Sequence, residues 1–251
     1  MRSAAGRAPD AALADFSPAT ATWFRESFAQ PTPAQAGAWA AIAGGQDTLV
    51  VAPTGSGKTL AAFLTAIDAL AFPREPATAA RPSGTSVLYI SPLKALGMDV
   101  ERNLTSPLVG TMRAAQRLDL AHRDVTVGVR TGDTPPAERR RLVSHPPDVL
   151  ITTPESLFLM LSSRARESLT QVSTVIVDEV HAVAGTKRGV HLALSLARLD
   201  GMLAQPAQRV GLSATVEPVD EVASFLTGAG RAFCAGQDLA DDAGRVLAPG
   251  V

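Results

Sequence analysis

The run Ala52-Pro53-Thr54-Gly55-Ser56-Gly57-Lys58-Thr59 sits between a β-branched stretch, Thr48-Leu49-Val50-Val51, and an amphipathic pattern that begins at Leu60. Glycines at this spacing let consecutive backbone N–H groups turn inward around phosphate oxygens, and a following helix aims its positive end at the same anion. Lys58 adds a compact positive charge, and the Thr59 hydroxyl is placed to ligate Mg2+. Ala52 stands where the general pattern has its first Gly. A second apolar run, Thr174-Val175-Ile176-Val177, ends in Asp178-Glu179-Val180-His181. Alone, two acids after a strand make an ordinary solvated loop. Beside a phosphate loop, Asp178 can hold the Mg2+ of a nucleotide and Glu179 can polarise an attacking water.

These residues need elements that bring distant loops to one edge. Short apolar runs recur at Thr48–Val51, Ser86–Ile90, Val125–Val129, Asp148–Ile151, Thr174–Val177 and Arg209–Leu212, each reading as a strand buried on both faces. Between them lie helical patterns such as Leu60, Phe63, Leu64, Ile67 and Leu70, or Leu192, Leu196, Leu199 and Leu203. The alternation predicts an α/β fold with right-handed crossovers, a mostly parallel sheet and helices on both faces, with ligands at the carboxyl ends of the strands. Pro92, Leu93 and Lys94, the loop Arg130-Thr131-Gly132-Asp133, and Thr153-Pro154-Glu155 all follow strand ends. They therefore share one rim, where N–H groups and hydroxyls can hold phosphates without reading bases.

Composition narrows the classes. The 251 residues carry a net charge of -1, so attraction to a polyanion must come from a local cluster. Every apolar stretch is interrupted well short of the ~20 residues that span a bilayer, and a lone Cys234 makes no internal disulfide. No signal-type apolar core opens the chain, so a cytoplasmic protein without membrane contact is expected. Only three of the 23 cations are lysines, Lys58, Lys94 and Lys187, which marks places where Arg does not serve. Residues 1–15 read as a loose arm, 16–227 as one domain, and 228–251 as a linker, with a helix over Val219–Leu226 and a weak strand near Ala232. His122, His145 and His191 are isolated, and no His/Cys spacing suggests zinc. Arg139-Arg140-Arg141 reads as a solvated helix face.

Six ordered segments resemble the superfamily 2 helicases of the DEAD/DExH type: Pro31-Thr32-Pro33-Ala34-Gln35, the phosphate loop, Ser91-Pro92-Leu93-Lys94-Ala95-Leu96, Thr152-Thr153-Pro154-Glu155-Ser156-Leu157, Asp178-Glu179-Val180-His181, and Ser213-Ala214-Thr215. The spelling of Trp23-Phe24 ahead of PTPAQ, RTGDTPPAERRRL, DEVHAVAGTKRGVHLALSLARL and GLSATV is similar to the large helicase-related (Lhr) proteins, and Ski2-like helicases share much of it. The resemblance implies a RecA-like P-loop NTPase domain that uses ATP and Mg2+ to move along single-stranded DNA or RNA or to open a hybrid duplex. It implies that Gln35 reads adenine. Lys58, Asp178, Glu179 and His181 form the catalytic set, and Ser213, Ala214 and Thr215 couple hydrolysis to strand movement.

Such helicases have two RecA-like domains, the second carrying the arginine finger, and no Gln-x-x-Gly-Arg-x-Gly-Arg motif stands in this sequence. The resemblance therefore implies the first domain of a longer motor, with little turnover on its own. The alternative is a catalytically silent nucleotide- or strand-binding fragment that works through a partner.

Overall fold

The apolar runs form strands β1 (Thr48–Val51), β2 (Val87–Ile90), β3 (Val127–Arg130), β4 (Val149–Thr152), β5 (Thr174–Val177) and β6 (Gln208–Ser213), with a short β7 (Arg245–Leu247) added. The structure, a computed structural model, describes residues 9–73, 84–92, 94–214, 218–228 and 245–247; for 9–10, 94–103 and 245–247 it describes the backbone. The strands make one sheet of order β3-β4-β2-β5-β6-β1-β7. The first six in that order are parallel, and β7 runs antiparallel along β1 with Val246 opposite Val50.

Helices α1 (Pro9–Ala12), α2 (Pro18–Ser27), α3 (Pro33–Ala43), α4 (Lys58–Ala71) and α5 (Lys94–Arg117) precede α6 (Pro136–Ser144) and α7 (Pro154–Leu161). After a 3-10 turn at Arg164–Leu169 come α8 (Val180–Val183), α9 (Lys187–Asp200) and α10 (Val219–Thr227). The two-residue period of the strands divides the core. Val50, Tyr89, Ile151, Ile176, Val210 and Leu212 face α2 to α5, where Phe24, Trp39, Phe63, Leu64 and Ile67 are buried. Leu49, Val51, Leu88, Ile90, Val175 and Val177 face the opposite layer, with Leu157, Leu192, Leu196, Leu199 and Leu226. Helix starts follow local chemistry: proline opens α2, α3, α6 and α7, and Ser17, Thr32, Thr153 and Thr186 cap first-turn N–H groups with their hydroxyls. Among the described residues no helix is long and apolar enough to cross a membrane.

Three expectations change. The arm reading of residues 1–15 fails from Pro9 onward, because α1 delivers Ala12 and Leu13 into the core at 4% and 3% exposure. The linker reading of 228–251 fails at Arg245–Leu247, which pair with β1. A parallel sheet ends in a row of unpaired backbone groups there, and three residues suffice to cover it. β3 is not buried on both faces, since it is the opposite edge and only Gly128 within it is fully covered. The strand expected near Ala232 lies outside the described residues, as do Cys234 and most of the loop expected over 73–85.

Candidate functional site

The phosphate-type loop leaves β1 and enters α4 at Lys58, with Gly55 and Gly57 both left-handed, at φ 85° and 83°. An L side chain resists that conformation, so these two glycines are what allow the chain to wrap back on itself. Ala52, at the position of the pattern's first Gly, is 1% exposed and donates its N–H to the Ser213 carbonyl of β6 at 3.2 Å. Lys58 Nζ donates to the carbonyls of Ala52 and Pro53, at 2.5 and 2.9 Å. Partial burial lowers the pKa of Lys58, against the opposing pull of Glu179 and Asp178. Those two acids therefore lie within electrostatic reach of the lysine, as a shared phosphate site requires.

Both acids stand at the tip of β5. Asp178 is 8% exposed, and its Oδ1 accepts from the Glu179 N–H at 2.9 Å while Oδ2 accepts from the hydroxyl of Tyr89. Burial pushes the Asp178 carboxyl above its ordinary range, with the Tyr89 hydrogen bond and Lys58 acting the other way. Burial first, and then the Asp178 charge, raises the Tyr89 phenol well above its own usual value. Glu179 adopts φ 47°, an uncommon left-handed conformation for a residue with a Cβ, where α8 begins. Its Oε2 lies 3.3 Å from His181 Nε2. The backbone N–H of Ala214 donates to His181 Nδ1 at 3.2 Å, with the Ser213 hydroxyl also at 3.2 Å. Since a backbone N–H only donates, Nδ1 is the acceptor and Nε2 is left to donate toward Glu179. The ring thus bridges the tips of β5 and β6. Thr215 lies outside the described residues.

Gln35 is buried and forms a capping box with Thr32: its Oε1 accepts from Thr32 N–H at 2.9 Å, and Thr32 Oγ1 accepts from Gln35 N–H at 3.2 Å. The box also braces the phosphate-type loop. Thr32 Oγ1 donates to Ser56 O at 3.0 Å, and Gln35 Nε2 donates to Gly57 O at 3.4 Å. A primary amide retains one N–H and one lone pair beyond these bonds, the pair an adenine edge would need.

The expected strand-binding residues lie on the other half of the same rim, after β2, β3 and β4. Pro92 is buried, Leu93 lies outside the described residues, and Lys94 opens α5. Thr152 Oγ1 donates to Arg130 O at 2.7 Å, joining β4 to the end of β3. The turn beyond it is held by Thr134, whose hydroxyl accepts from Thr131 N–H at 2.8 Å. Thr153 caps α7 through Ser156. Glu155 is bound by Arg188 of α9 through two bonds, at 2.5 and 3.0 Å, and this pairing holds its carboxyl below the usual range. The ion pair offsets the negative charge of Glu155 and leaves this part of the rim close to neutral.

Arg139 corrects the solvated-face reading of the arginine run. Its guanidinium donates to Thr134 O at 2.8 Å and Gly132 O at 2.6 Å, and reaches Thr131 O at 3.5 Å. It staples the turn after β3, and its charge, after burial, depresses the pKa of Arg130. Arg141 pairs with Glu138 at the exposed surface, as that reading held. The signal for Arg139 was its distance of five to eight residues from those carbonyls, within one turn and the start of one helix.

The structure brings Lys58, Asp178, Glu179, His181, Ser213 and Ala214 together over β1, β5 and β6, and keeps residues 130–133 and 153–155 apart over β3 and β4. Among the described residues no group of three His, Cys, Asp or Glu side chains could hold a metal by itself. Asp178 and Thr59 are the oxygen donors expected from the sequence, a sparse set that would fit Mg2+, which is held by one or two protein groups rather than by a full protein cage. A cavity of about 500 Å3, lined by Phe16, Trp39, Ile42 and Phe72, opens at the amino ends of the strands, away from all these groups.

The family model of DEAD/DEAH box helicases matches residues 32–222. A Mycolicibacterium smegmatis protein named Lhr helicase/probable uracil glycosylase is 67% identical over 217 residues, which are 86% of this chain and 14% of that protein. The Lhr helicase/uracil glycosylase of Escherichia coli is 56% identical over 223 residues, 88% of this chain and again 14% of the relative. The solved structure of Mycobacterium smegmatis helicase Lhr bound to ssDNA and AMP-PNP superposes with a TM-score of 0.82 at 64% identity, covering 88% of this chain and 27% of that one.

Proposed function

The chain belongs to the DEAD/DEAH box helicase family, and we propose that it is the ATP-binding RecA-like domain of an Lhr-type motor that moves on single-stranded nucleic acid. One observation carries this reading: Lys58, after β1, and Asp178, Glu179 and His181, after β5, converge at the carboxyl ends of parallel strands on either side of β6, an arrangement suited to phosphoryl transfer. The AMP-PNP and ssDNA bound by the similar Lhr structure support it.

In this reading the triphosphate lies on residues 52–59. Lys58 exchanges the Ala52 and Pro53 carbonyls for phosphate oxygens, and Gln35 offers its remaining amide valences to adenine. Asp178 and Thr59 are the residues that would hold Mg2+, and the chemistry a bound ion would supply there is positive charge to offset that of the phosphates. Glu179 orients the attacking water, and its left-handed backbone together with His181 Nε2 aims its carboxylate. Because His181 also holds Ser213 and Ala214, a shift of Glu179 during hydrolysis is passed to β6. Pro92 to Lys94, Arg130 to Asp133 and Thr153 to Glu155 grip the strand by its phosphates, so base sequence has little influence.

An arginine finger from a second RecA-like domain completes the site, and such a finger is worth about 10³ to 10⁵ in rate. Steady-state phosphate release by the 251-residue chain, with and without single-stranded DNA or RNA, is therefore expected to stay near background. Adding a second RecA-like domain from the same helicase group should raise it, and Glu179→Gln should abolish the gain. Strong strand-stimulated turnover by the lone chain would defeat the incomplete-motor reading.

A further inference from the structure

Tyr89 is the chain's only tyrosine and lies fully buried within β2, among strand residues that are otherwise apolar. A hydroxyl in a sheet core is costly unless it has a partner, and the partner here is Asp178. Register explains the contact. Tyr89 is opposite Ile176 of β5, and Asp178 lies two residues beyond Ile176, so the period of two carries it to the same face. A phenol is long enough to cover that diagonal from mid-strand to strand tip. Its ring is fixed by stacking on Phe63 of α4, centroids 4.7 Å apart and planes 23° from parallel. α4 is the helix that starts at Lys58.

The two oxygens of Asp178 thus receive donors from different directions, Glu179 N–H on Oδ1 and Tyr89 on Oδ2. The terminal torsion of an aspartate is otherwise broad and poorly defined. Two fixed donors hold the carboxylate plane and leave one further lone pair on each oxygen. We infer that Tyr89 is the positioning residue for Asp178, locking the carboxylate in the rotation that receives the Mg2+ of a bound nucleotide. The inference rests on the proposed role of Asp178 and adds the group that sets its geometry. Tyr89 is 0% exposed and its hydroxyl is bound to Asp178, so its effect must pass through Asp178.

The test compares wild type with Tyr89→Phe, which removes only the hydroxyl, by calorimetric titration of AMP-PNP in excess Mg2+ and in EDTA. Wild type is expected to bind more tightly with Mg2+. Tyr89→Phe should weaken Mg2+-dependent binding by about 5- to 20-fold, near the lower end of the scale of one hydrogen bond to a charged group because the loss is relayed through Asp178, and leave affinity in EDTA within about twofold. Equal losses in both conditions would overturn the inference, because Tyr89 would then merely support the pocket. No loss in either would overturn it too. A wild type indifferent to Mg2+ would defeat the metal role of Asp178 itself, a result distinguishable because it needs no variant. A second measurement does not depend on the variant folding. Uniform 3-fluorotyrosine labelling of the wild-type chain gives a single 19F resonance, expected to shift with AMP-PNP and Mg2+ beyond its position with AMP-PNP and EDTA. Coincident resonances would overturn the inference.

Discussion

The carboxyl rim of the sheet has two halves built in different ways. Over β1, β5 and β6, functional groups are held by partners distant in sequence: Tyr89 and Asp178 are 89 residues apart, His181 and Ser213 are 32 apart, and Gln35 and Gly57 are 22 apart. Over β3 and β4, most loop contacts are local, as in Thr131 with Thr134, Thr153 with Ser156, and Arg139 with the carbonyls of 131–134. The first half buries charge and fixes it from several elements, so removing one group disturbs its neighbours. The second half is loops that cap themselves, buried at Thr153 and Pro154 and exposed at Gly132, Asp133 and Glu155, where a contact to a phosphate backbone would be screened and modest. Under the proposed function, the difference would separate chemistry that needs one fixed arrangement from a grip that tolerates many strands.

That contrast predicts a graded series of effects. The largest is at Lys58, where Lys58→Ala should weaken Mg2+·ATP binding by roughly 10- to 100-fold, from loss of hydrogen bonds worth about 1.5 to 3 kcal/mol each to charged oxygens. Single-strand affinity measured without nucleotide should hardly change. Calorimetry for nucleotide and fluorescence anisotropy for the strand read both, and a parallel loss of strand binding would break the division into halves.

A smaller effect belongs to Arg139. Arg139→Ala should release the turn after β3 and lower affinity for a mixed-sequence single strand by about 3- to 10-fold, the scale of one or two ordinary hydrogen bonds. Arg141→Ala, which breaks only an exposed pair with Glu138, should stay within about twofold. Anisotropy at two salt concentrations distinguishes them, and equal effects would return Arg139 to the solvated face. Nucleotide affinity should be the same in both variants.

The smallest effect tests the proposed role of Gln35, which braces the loop and has amide valences left over. Gln35→Ala should reduce ATP affinity by about 2- to 5-fold and narrow the gap between ATP and GTP. Titration of both nucleotides tests this, since equal proportional losses would leave Gln35 as a brace for Ser56 and Gly57 alone.

The legible features share a physical basis. Alternating apolar runs and helical periods announced a parallel sheet covered on both faces, because burial imposes those periods on any such sheet. Gly55 and Gly57, the Thr32–Gln35 capping box and the prolines opening helices are local conformational devices, so their spacing alone located the phosphate-type loop and the helix starts. Asp178 and Glu179 were legible because a strand must end before them.

Tertiary structure decided the rest. The order β3-β4-β2-β5-β6-β1-β7 follows from which helices cross over which strands, and only that order sets Tyr89 beside Asp178. Arg188 meets Glu155 across 33 residues, so the sequence could show two opposite charges but not their pairing. Leu13 carries too little periodicity to declare burial and 245–247 too little to declare a strand; Leu13 joins the core, and the backbone of 245–247 pairs with the β1 edge. Residue type and local spacing determined what chemistry was available to this chain. Long-range packing decided which groups meet, because a side chain's partner depends on where distant backbone lies.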